Sequence, residues 1–224
     1  MMLPFRQATH IVHCTMDKPF LLCMEAILRT IDEHKEWLTE LDGAIGDADH
    51  GINMARGFAA VVAKIAVATE DDLASLLKKV GMTLLSTVGG VSGPLYGTAF
   101  LRAGTAAQGK PGLTKEVAGE MLVAAITGIM ERGKAARGEK TMLDALLPAQ
   151  LAFASAVEEG KSLLECLEAA SVAAHAGVEY TKTIIATKGR ASYLGARSLG
   201  HQDPGATSAH LILKALTEFC RAHS

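Results

Sequence analysis

The stretch Phe20-Leu21-Leu22-Cys23-Met24-Glu25-Ala26-Ile27-Leu28-Arg29-Thr30-Ile31 carries apolar side chains at the spacing of an α-helix. Residues three or four positions apart share one helix face, which can pack against a core. No segment of the chain alternates apolar and polar residues between turn signals, as a half-buried strand would. The chain is therefore predicted to be all-α. Three stripes show the helical spacing: Phe20, Met24, Ile27, Leu28, Ile31 and Leu38; Leu163, Cys166, Leu167, Ala170, Ala173 and Ala174; and Ala209, Ile212, Leu213, Leu216, Phe219 and Cys220.

Five further helices are predicted between these stripes, which brings the total to eight. The linkers are mostly short, and short linkers favour antiparallel packing of neighbouring helices. Between the sixth and seventh helices, Ser162 and Glu165 have the spacing of a capping box. We therefore predict an antiparallel barrel or bundle of eight helices. The five additional helices lie near residues 52–68, 72–87, 94–108, 114–132 and 141–158.

The 224 residues contain no linker or change of composition that would divide the chain. Residues 15–224 are predicted to form a single helical domain, preceded by a loose N-terminal extension over residues 1–14. Hydrophobic residues make up 49% of the chain and aromatic residues only 4%, so the core should be built from small and aliphatic side chains.

Charge and cysteine usage exclude some classes of protein. The formal net charge is −2 without any basic block, which argues against nucleic-acid binding as the main task. Four scattered cysteines without CxxC spacing indicate reduced thiols and a cytoplasmic protein. No signal peptide is recognised at the start, and no apolar run approaches the length of a membrane span.

The loop Leu41-Asp42-Gly43-Ala44-Ile45-Gly46-Asp47-Ala48-Asp49-His50-Gly51-Ile52-Asn53 lies between two predicted helices. It brings three carboxylates, Asp42, Asp47 and Asp49, close together, with glycines that permit a tight backbone. Crowded carboxylates repel one another unless a cation lies among them, and hard oxygen ligands favour Mg²⁺ or Ca²⁺. Mg²⁺ retains open positions for water and phosphate. The loop therefore predicts a metal–phosphate site at a helix start.

A simpler interpretation is that Asp49 only caps the helix that begins near Gly51, as Asx residues often do. Three aspartates followed by His50-Gly51 and Asn53 favour the metal site over capping alone. The loop is not an EF-hand, because it lacks the alternating ligands and the closing Glu.

Two further connections carry unusual residues for a helix linker. The glycine-rich stretch 87–95 exposes backbone N–H groups before a helix, and Ser92 adds a hydroxyl, which together suit phosphate oxygens. It does not match a Walker A motif, and a helix-breaking loop without a ligand remains open. In the stretch 132–144, Thr141 could cap a helix, and Met142 either flanks a purine or belongs to the core.

The segment 187–208 is poor in helical pattern, and long loops in compact domains usually serve a function. Its first part contains Lys188, Arg190 and Arg197, which suit phosphate contacts but also a solvated surface loop. In its second part, Pro204 and Gly205 stand at a helix start, where N–H groups are free.

The chain resembles a known family in these connections. The stretches GDADHG (46–51), GGVSGPLYGT (89–98), GEKTMLDAL (138–146) and KGRASYLGARS with GHQDPGATS (188–208) are similar to the nucleotide-binding L subunit of dihydroxyacetone kinase. They also resemble the corresponding C-terminal nucleotide domain of single-chain dihydroxyacetone kinases. The resemblance extends from about residue 15 to the end of the chain.

The resemblance implies a barrel of eight antiparallel α-helices with the nucleotide and Mg²⁺ in the loops at one end. It implies that the three aspartates hold two Mg²⁺ ions that bridge the phosphates of ADP or ATP. It assigns no catalytic residue beyond this metal–nucleotide site. The residues implied are Asp42, Asp47 and Asp49 for the metal; His50, Gly51, Ile52, Asn53, Val91 and Ser92 for the phosphates; Gly133 and Met142 for the adenosine; and Arg190, Asp203, Pro204 and Gly205 to close the site.

The resemblance also implies partners. The triose is held by a separate K subunit, so the chain should be a kinase subunit that is active only with its partners. Bound ADP would be rephosphorylated in place by an M subunit of the phosphotransferase system, whereas ATP would exchange from solution in the alternative mode. A homodimer is kept open.

Other functions are compatible with the sequence. The chain could serve an ATP-dependent kinase for a related ketose or aldose, because the partner selects the sugar. A metal-dependent phosphoester hydrolase would use His50 as its base. A nucleotide-sensing regulatory module also remains open. A purely structural bundle is least favoured, since it would need none of these loops.

Overall fold

The computed structural model describes residues 17–68 and 72–223. Within these residues the secondary structure is entirely helical, with nine α-helices and one 3-10 helix over Arg190–Ser198. The all-α prediction is confirmed, and the predicted extension over residues 1–14 lies outside the described residues. The α-helices are α1 (Asp17–Glu33), α2 (Lys35–Ile45), α3 (His50–Ile65), α4 (Leu73–Thr87), α5 (Ser92–Ala106), α6 (Lys115–Gly133), α7 (Leu143–Glu158), α8 (Leu163–Thr181) and α9 (Pro204–Ala222).

Eight of these helices form a closed ring. Helix α1 contacts α3, each helix from α3 to α8 contacts the next one along the chain, and α9 returns to contact α1. Most consecutive helices are joined by short loops, which makes neighbours antiparallel. The ring is the predicted eight-helix barrel. The remaining helix, α2, packs mainly against α3 and α9.

The first predicted helix is divided at His34 into two helices, α1 and α2. The imidazole Nδ1 of His34 lies 2.8 Å from the Thr30 carbonyl oxygen, one helical turn earlier. His34 leaves the helical conformation, with φ of −107° and ψ of 10°. A side chain that bonds to the backbone of the preceding turn competes with the helix ladder. The apolar stripe therefore continues to Leu38 on a separate helix.

Small side chains let the barrel helices approach closely. Helices α7 and α8 bury Ala145, Ala149, Ala170 and Ala174. Near the start of α7, a Cβ added to Gly177 would lie 2.1 Å from the Asp144 carbonyl oxygen, so only glycine fits this crossing. The predicted capping box of Ser162 and Glu165 begins α8.

The barrel interior is apolar, as the composition indicates. A cavity of about 440 Å³ lies among α1, α4 to α9, lined largely by side chains such as Met24, Phe100 and Leu213. In the part of the chain that the structure describes, no helix combines the length and apolar character needed to cross a bilayer.

Replacing Gly177 by Ala should lower the free energy of unfolding by about 1–3 kcal/mol, because the methyl group would press on the backbone of α7. Gly119→Ala is the matched control, since its Cβ would meet the Phe153 ring at an ordinary 3.4 Å. That helix-interior substitution should raise stability by up to about 1 kcal/mol. Urea unfolding of both variants measures the difference, and equal effects would contradict this packing.

Candidate functional site

The first turns of α3, α5, α7 and α9 meet at one end of the barrel. His50, at the start of α3, contacts Ser92 at the start of α5, with Nδ1 to Oγ at 3.1 Å. Its Nε2 lies 2.8 Å from Oγ of Ser208 in α9. A Cβ on Gly205 would lie 3.7 Å from the amide nitrogen of Met142, which precedes α7. Four helix N-termini carry partial positive charge into one region, which suits an anion.

The carboxylate of Asp42 caps α3 from the last turn of α2. Its Oδ2 accepts hydrogen bonds from the amides of Asp49 at 2.9 Å and His50 at 3.2 Å. Asp49 occupies the N-cap position itself, yet its side chain makes no capping hydrogen bond. The simpler interpretation, in which Asp49 only caps the helix, is therefore wrong. The cap is supplied by Asp42 instead, which leaves the Asp49 carboxylate available.

Asp42, Asp47 and Asp49 each place a carboxylate oxygen within 4.8 Å of the other two. The loop reaches this arrangement with Ala48 at φ of 58°, a region that residues with a Cβ seldom adopt. Opposite ligands of an octahedral Mg²⁺ are about 4.2 Å apart, given metal–oxygen distances of about 2.1 Å. The donor set and its size therefore fit a hard divalent cation after a small adjustment.

The tight turn also depends on glycine at one position. A Cβ on Gly46 would lie 2.1 Å from Oδ1 of Asp42. Gly51 has a different reason, because its Cβ would lie 2.0 Å from the Lys35 carbonyl oxygen where α2 crosses α3.

Arg190, at the start of the 3-10 helix, contacts the acidic loop, which is the segment that carries Asp42, Asp47 and Asp49. Its Nη2 lies 2.8 Å from Oδ2 of Asp47, and both side chains are substantially exposed. An exposed ion pair contributes only about 0–1 kcal/mol. The guanidinium can therefore leave Asp47 at little cost and turn toward another anion.

The ring of His50 is buried and both of its nitrogens are engaged. The Ser208 hydroxyl oxygen lies 3.1 Å from the Gly205 carbonyl oxygen and 2.8 Å from both His50 Nε2 and the Tyr96 hydroxyl oxygen. Nδ1 makes its hydrogen bond with the Ser92 hydroxyl. Burial lowers the pKa of His50, and Asp42 and Asp49 oppose that effect only in part. The neutral ring ties α3 to α5 and α9.

A buried charged cluster lies behind the start of α9. Asp203 caps α9 by accepting the Ala206 amide at 2.7 Å. Burial raises the pKa of Asp203 to about 7, and the carboxylates of Asp144 and Asp42 add to the rise, whereas the Ala206 amide and Lys140 oppose it. Lys140 is only 1% exposed, and Asp144 is fully buried.

The structure brings the predicted site residues to one end of the barrel. Asn53 is buried, and its Oδ1 accepts from Nη2 of Arg56 at 2.6 Å. Gly133 lies against Leu95 at the start of α5. Ile52 and Val91 expose about half or more of their side chains beside the first turns of α3 and α5. Contact of these residues with a nucleotide stays a prediction.

Three polar residues of the site were not singled out from the sequence. Tyr96 and Ser208 lie within the quoted motifs, but nothing local shows that they meet across 112 positions of the chain. Lys140 follows a glutamate in a loop, where a lysine normally extends into solvent. Its left-handed backbone, with φ of 60°, is visible only in the structure.

Comparison with known proteins identifies the family. The model of the DAK2 domain matches residues 44–218. The chain is 49% identical over 181 residues to the ADP-binding subunit DhaL of the PEP-dependent dihydroxyacetone kinase of Escherichia coli (strain K12), covering 81% of this chain and 86% of that protein. It is 44% identical over 188 residues to the ADP-binding subunit DhaL of the PTS-dependent enzyme of Lactococcus lactis, covering 84% and 90%. The chain belongs to the DAK2 domain family.

More distant relatives share the domain within longer proteins. The human triokinase/FMN cyclase is 35% identical over 202 residues, which cover 90% of this chain and 35% of that protein. The crystal structure of the dihydroxyacetone kinase of C. freundii superposes with a TM-score of 0.70 at 24% identity, covering 97% of this chain and 38% of that chain. This structural likeness supports the fold alone.

Asp203→Asn should stabilise the nucleotide-free chain increasingly as pH rises from 5 to 8. Because the folded pKa of about 7 exceeds the ordinary aspartate pKa of 3.8, the proton bound by Asp203 favours folding below pH 4, and this contribution is lost as pH rises through 7. Asn retains a capping oxygen without the buried charge. Urea unfolding at several pH values in EDTA measures the difference from wild type.

Asp72→Asn is the control, because Asp72 caps α4 at an exposed position and its pKa is lowered by the Ser75 backbone amide. Its contribution is present above the unfolded pKa, so the variant's difference from wild type should stay constant from pH 5 to 8. A difference for Asp203→Asn that is equally flat would contradict the buried charge.

Proposed function

We propose that this chain is the ADP-binding subunit of a dihydroxyacetone kinase. It presents a Mg²⁺–nucleotide complex to a separate K subunit that holds dihydroxyacetone. The observation that carries the proposal is that the carboxylates of Asp42, Asp47 and Asp49 lie together beside the four helix starts. The chain is also 49% identical to a DhaL subunit, and the match covers 86% of that subunit.

Asp42, Asp47 and Asp49 are the residues that would hold Mg²⁺, and two ions are proposed. When bound, the ions neutralise phosphate charge, which is the main requirement of phosphoryl transfer. Asp42 remains anchored by the α3 amides, whereas Asp47 and Asp49 can adjust to the ions. Arg190 exchanges Asp47 for a phosphate oxygen when the nucleotide enters.

The chain's own amides would position the phosphates. In the first turn of α3, Asp42 accepts the His50 amide, and the Asn53 amide bonds to the Asp49 carbonyl oxygen at 2.9 Å. The first four amides of a helix have no partner within its ladder, so those of Gly51 and Ile52 remain for phosphate oxygens.

The other helix starts complete the nucleotide site. Val91 and Ser92 contribute amides from the start of α5, and Asp203, Pro204 and Gly205 close the site at α9. Gly133 and Met142 lie on the adenosine side.

The proposal assigns no general base to this chain. Both ring nitrogens of His50 are held by serine hydroxyls, which leaves neither free to activate water. This argues against the phosphoester hydrolase. The residues instead bind and orient the nucleotide, and the acceptor hydroxyl comes from the sugar on the partner.

The phosphoryl donor is proposed to be an M subunit that rephosphorylates bound ADP. The support is that the relatives with 40–49% identity are named as ADP-binding subunits of PEP- or PTS-dependent kinases. Exchange of ATP is the alternative, and it is second because a relative that is not named as PEP- or PTS-dependent, the human triokinase/FMN cyclase, is only 35% identical. We place the subunit in the cytoplasm. One copy of the chain is sufficient for the proposed site, so no homodimer is proposed.

Asp47→Ala should weaken ADP binding in the presence of Mg²⁺ by at least about 100-fold, because one of the three metal ligands is lost. Calorimetric titration with ADP, in Mg²⁺ and in EDTA, measures the effect. Glu168→Ala is the matched control, since Glu168 also pairs with an arginine at 2.9 Å, between α8 and α9. It should bind ADP within twofold of wild type. Unchanged affinity in Asp47→Ala would refute the metal assignment.

Transfer itself is tested by reconstitution with a dihydroxyacetone-binding K subunit and a phosphoryl-donating M subunit. We expect dihydroxyacetone phosphate only when all three are present, and neither transfer nor ester hydrolysis by this chain alone. Formation of product from ATP without the M subunit would favour the exchanging mode. Nucleotide binding without any transfer would favour the regulatory module, and phosphate release by the lone chain would favour the hydrolase.

A further inference from the structure

Lys140 is buried beneath the site and makes hydrogen bonds with a helix end. The residue is only 1% exposed, so its side chain is enclosed by protein. Its Nζ donates to the carbonyl oxygen of Thr181 and, at 3.2 Å, to that of Ile184. Thr181 ends α8, and carbonyl groups at a helix C-terminus lack partners within the helix and attract cations. Lys140 therefore caps α8 from the loop between α6 and α7.

The backbone around Lys140 is held in an uncommon conformation. Lys140 has φ of 60°, which is unusual for a residue with a Cβ. The Asp144 carboxylate accepts the Gly138 amide at 2.5 Å and the Thr141 amide at 2.8 Å. These bonds fold the loop so that the lysine side chain is directed inward. The same loop runs between Gly133 and Met142, on the proposed adenosine side.

The end of α8 also makes a hydrogen bond with the start of α9, on the side of the site proposed to bind the phosphates. The Thr181 hydroxyl accepts the Asp203 amide at 3.0 Å. Asp203 in turn caps α9 and is followed by Pro204 and Gly205. One residue, Thr181, thus receives Lys140 on its carbonyl group and Asp203 on its hydroxyl group.

Charge supports the same connection. A buried ammonium is unfavourable unless it is hydrogen-bonded or paired. Burial lowers the pKa of Lys140, and the nearby carboxylates of Asp203 and Asp144 oppose this fall. The lysine accordingly offsets two buried carboxylates, that of Asp144 in α7 and that of Asp203 at the start of α9.

We propose that Lys140 is a positioning residue that sets the adenosine-side loop and the start of α9 relative to each other, without touching the nucleotide. The inference rests on the proposed function and deepens it. The site then has two separate requirements. The acidic loop holds the metal, whereas the hydrogen bonds of Lys140 fix the distance between the adenosine-side loop and the start of α9.

Lys140→Met tests this role, because Met has a similar length and no charge. We expect ADP affinity in Mg²⁺ to fall at least about tenfold, while Mn²⁺ binding to the acidic loop without nucleotide stays within twofold of wild type. Hydrogen exchange at the Asp203 amide should become faster in the nucleotide-free variant. A purely structural lysine would change stability without this separation of ADP from Mn²⁺ binding.

Thr181→Val provides a second variant that keeps the ammonium and removes only the hydroxyl that receives Asp203. It should weaken ADP binding in the same direction, and the double variant should lose less than the sum of the two effects. Thr217→Val is the stability control, since the Thr217 hydroxyl donates to the Leu213 carbonyl oxygen at 2.8 Å and is buried in α9 more than two turns from Asp203. It should leave ADP affinity unchanged.

The inference is overturned if Lys140→Met and Thr181→Val bind ADP within twofold of wild type, or lose no more affinity than Thr217→Val. Slow exchange at the Asp203 amide in both variants would also overturn it. If wild type itself binds no ADP in Mg²⁺, the proposed function fails first. Binding by wild type with unchanged binding by both variants refutes the positioning role alone.

Discussion

The two hydrogen bonds from the first amides of α3 to the Asp42 carboxylate are the constraint on which the site depends. They join the end of α2 to the start of α3 and fix the loop between them. Because the cap comes from Asp42, the Asp49 side chain makes no capping bond, and Asp47 pairs only with the exposed Arg190. Both carboxylates can therefore turn toward a cation. The fixed start of α3 also places His50 where it can reach Ser92 and the start of α9.

The closed ring of helices explains why so many helix starts meet. In an antiparallel barrel, alternate helices begin at the same end, so their partial positive charges add in one region. Close packing through alanine and glycine keeps these starts near one another. The buried ammonium of Lys140 extends the arrangement beneath the surface, since it holds the end of α8 against the loop that leads into α7. The fold thus brings together helix starts that suit an anion, and the Asp42 loop places beside them three carboxylates that fit a divalent cation.

Much of the fold could be predicted from apolar spacing, because that spacing reports directly which face of a helix is buried. The break at His34 could not, since it depends on one side chain competing with the backbone. The sequence predicts a metal site at the three aspartates, and this stays a prediction. The division of roles between Asp42 and Asp49 was not predictable, because it depends on the loop geometry at Ala48. Lys140 was missed because its partners lie more than 40 positions away in the chain.

The most direct measurement is the nucleotide content of the purified protein. The chain is isolated in Mg²⁺ and denatured, and the released small molecules are separated by chromatography. Near-stoichiometric ADP is the predicted result, and it would identify a resident coenzyme held by the acidic loop and the helix starts. Protein that is free of nucleotide and that also fails to bind ADP or ATP on titration with Mg²⁺ would contradict the account.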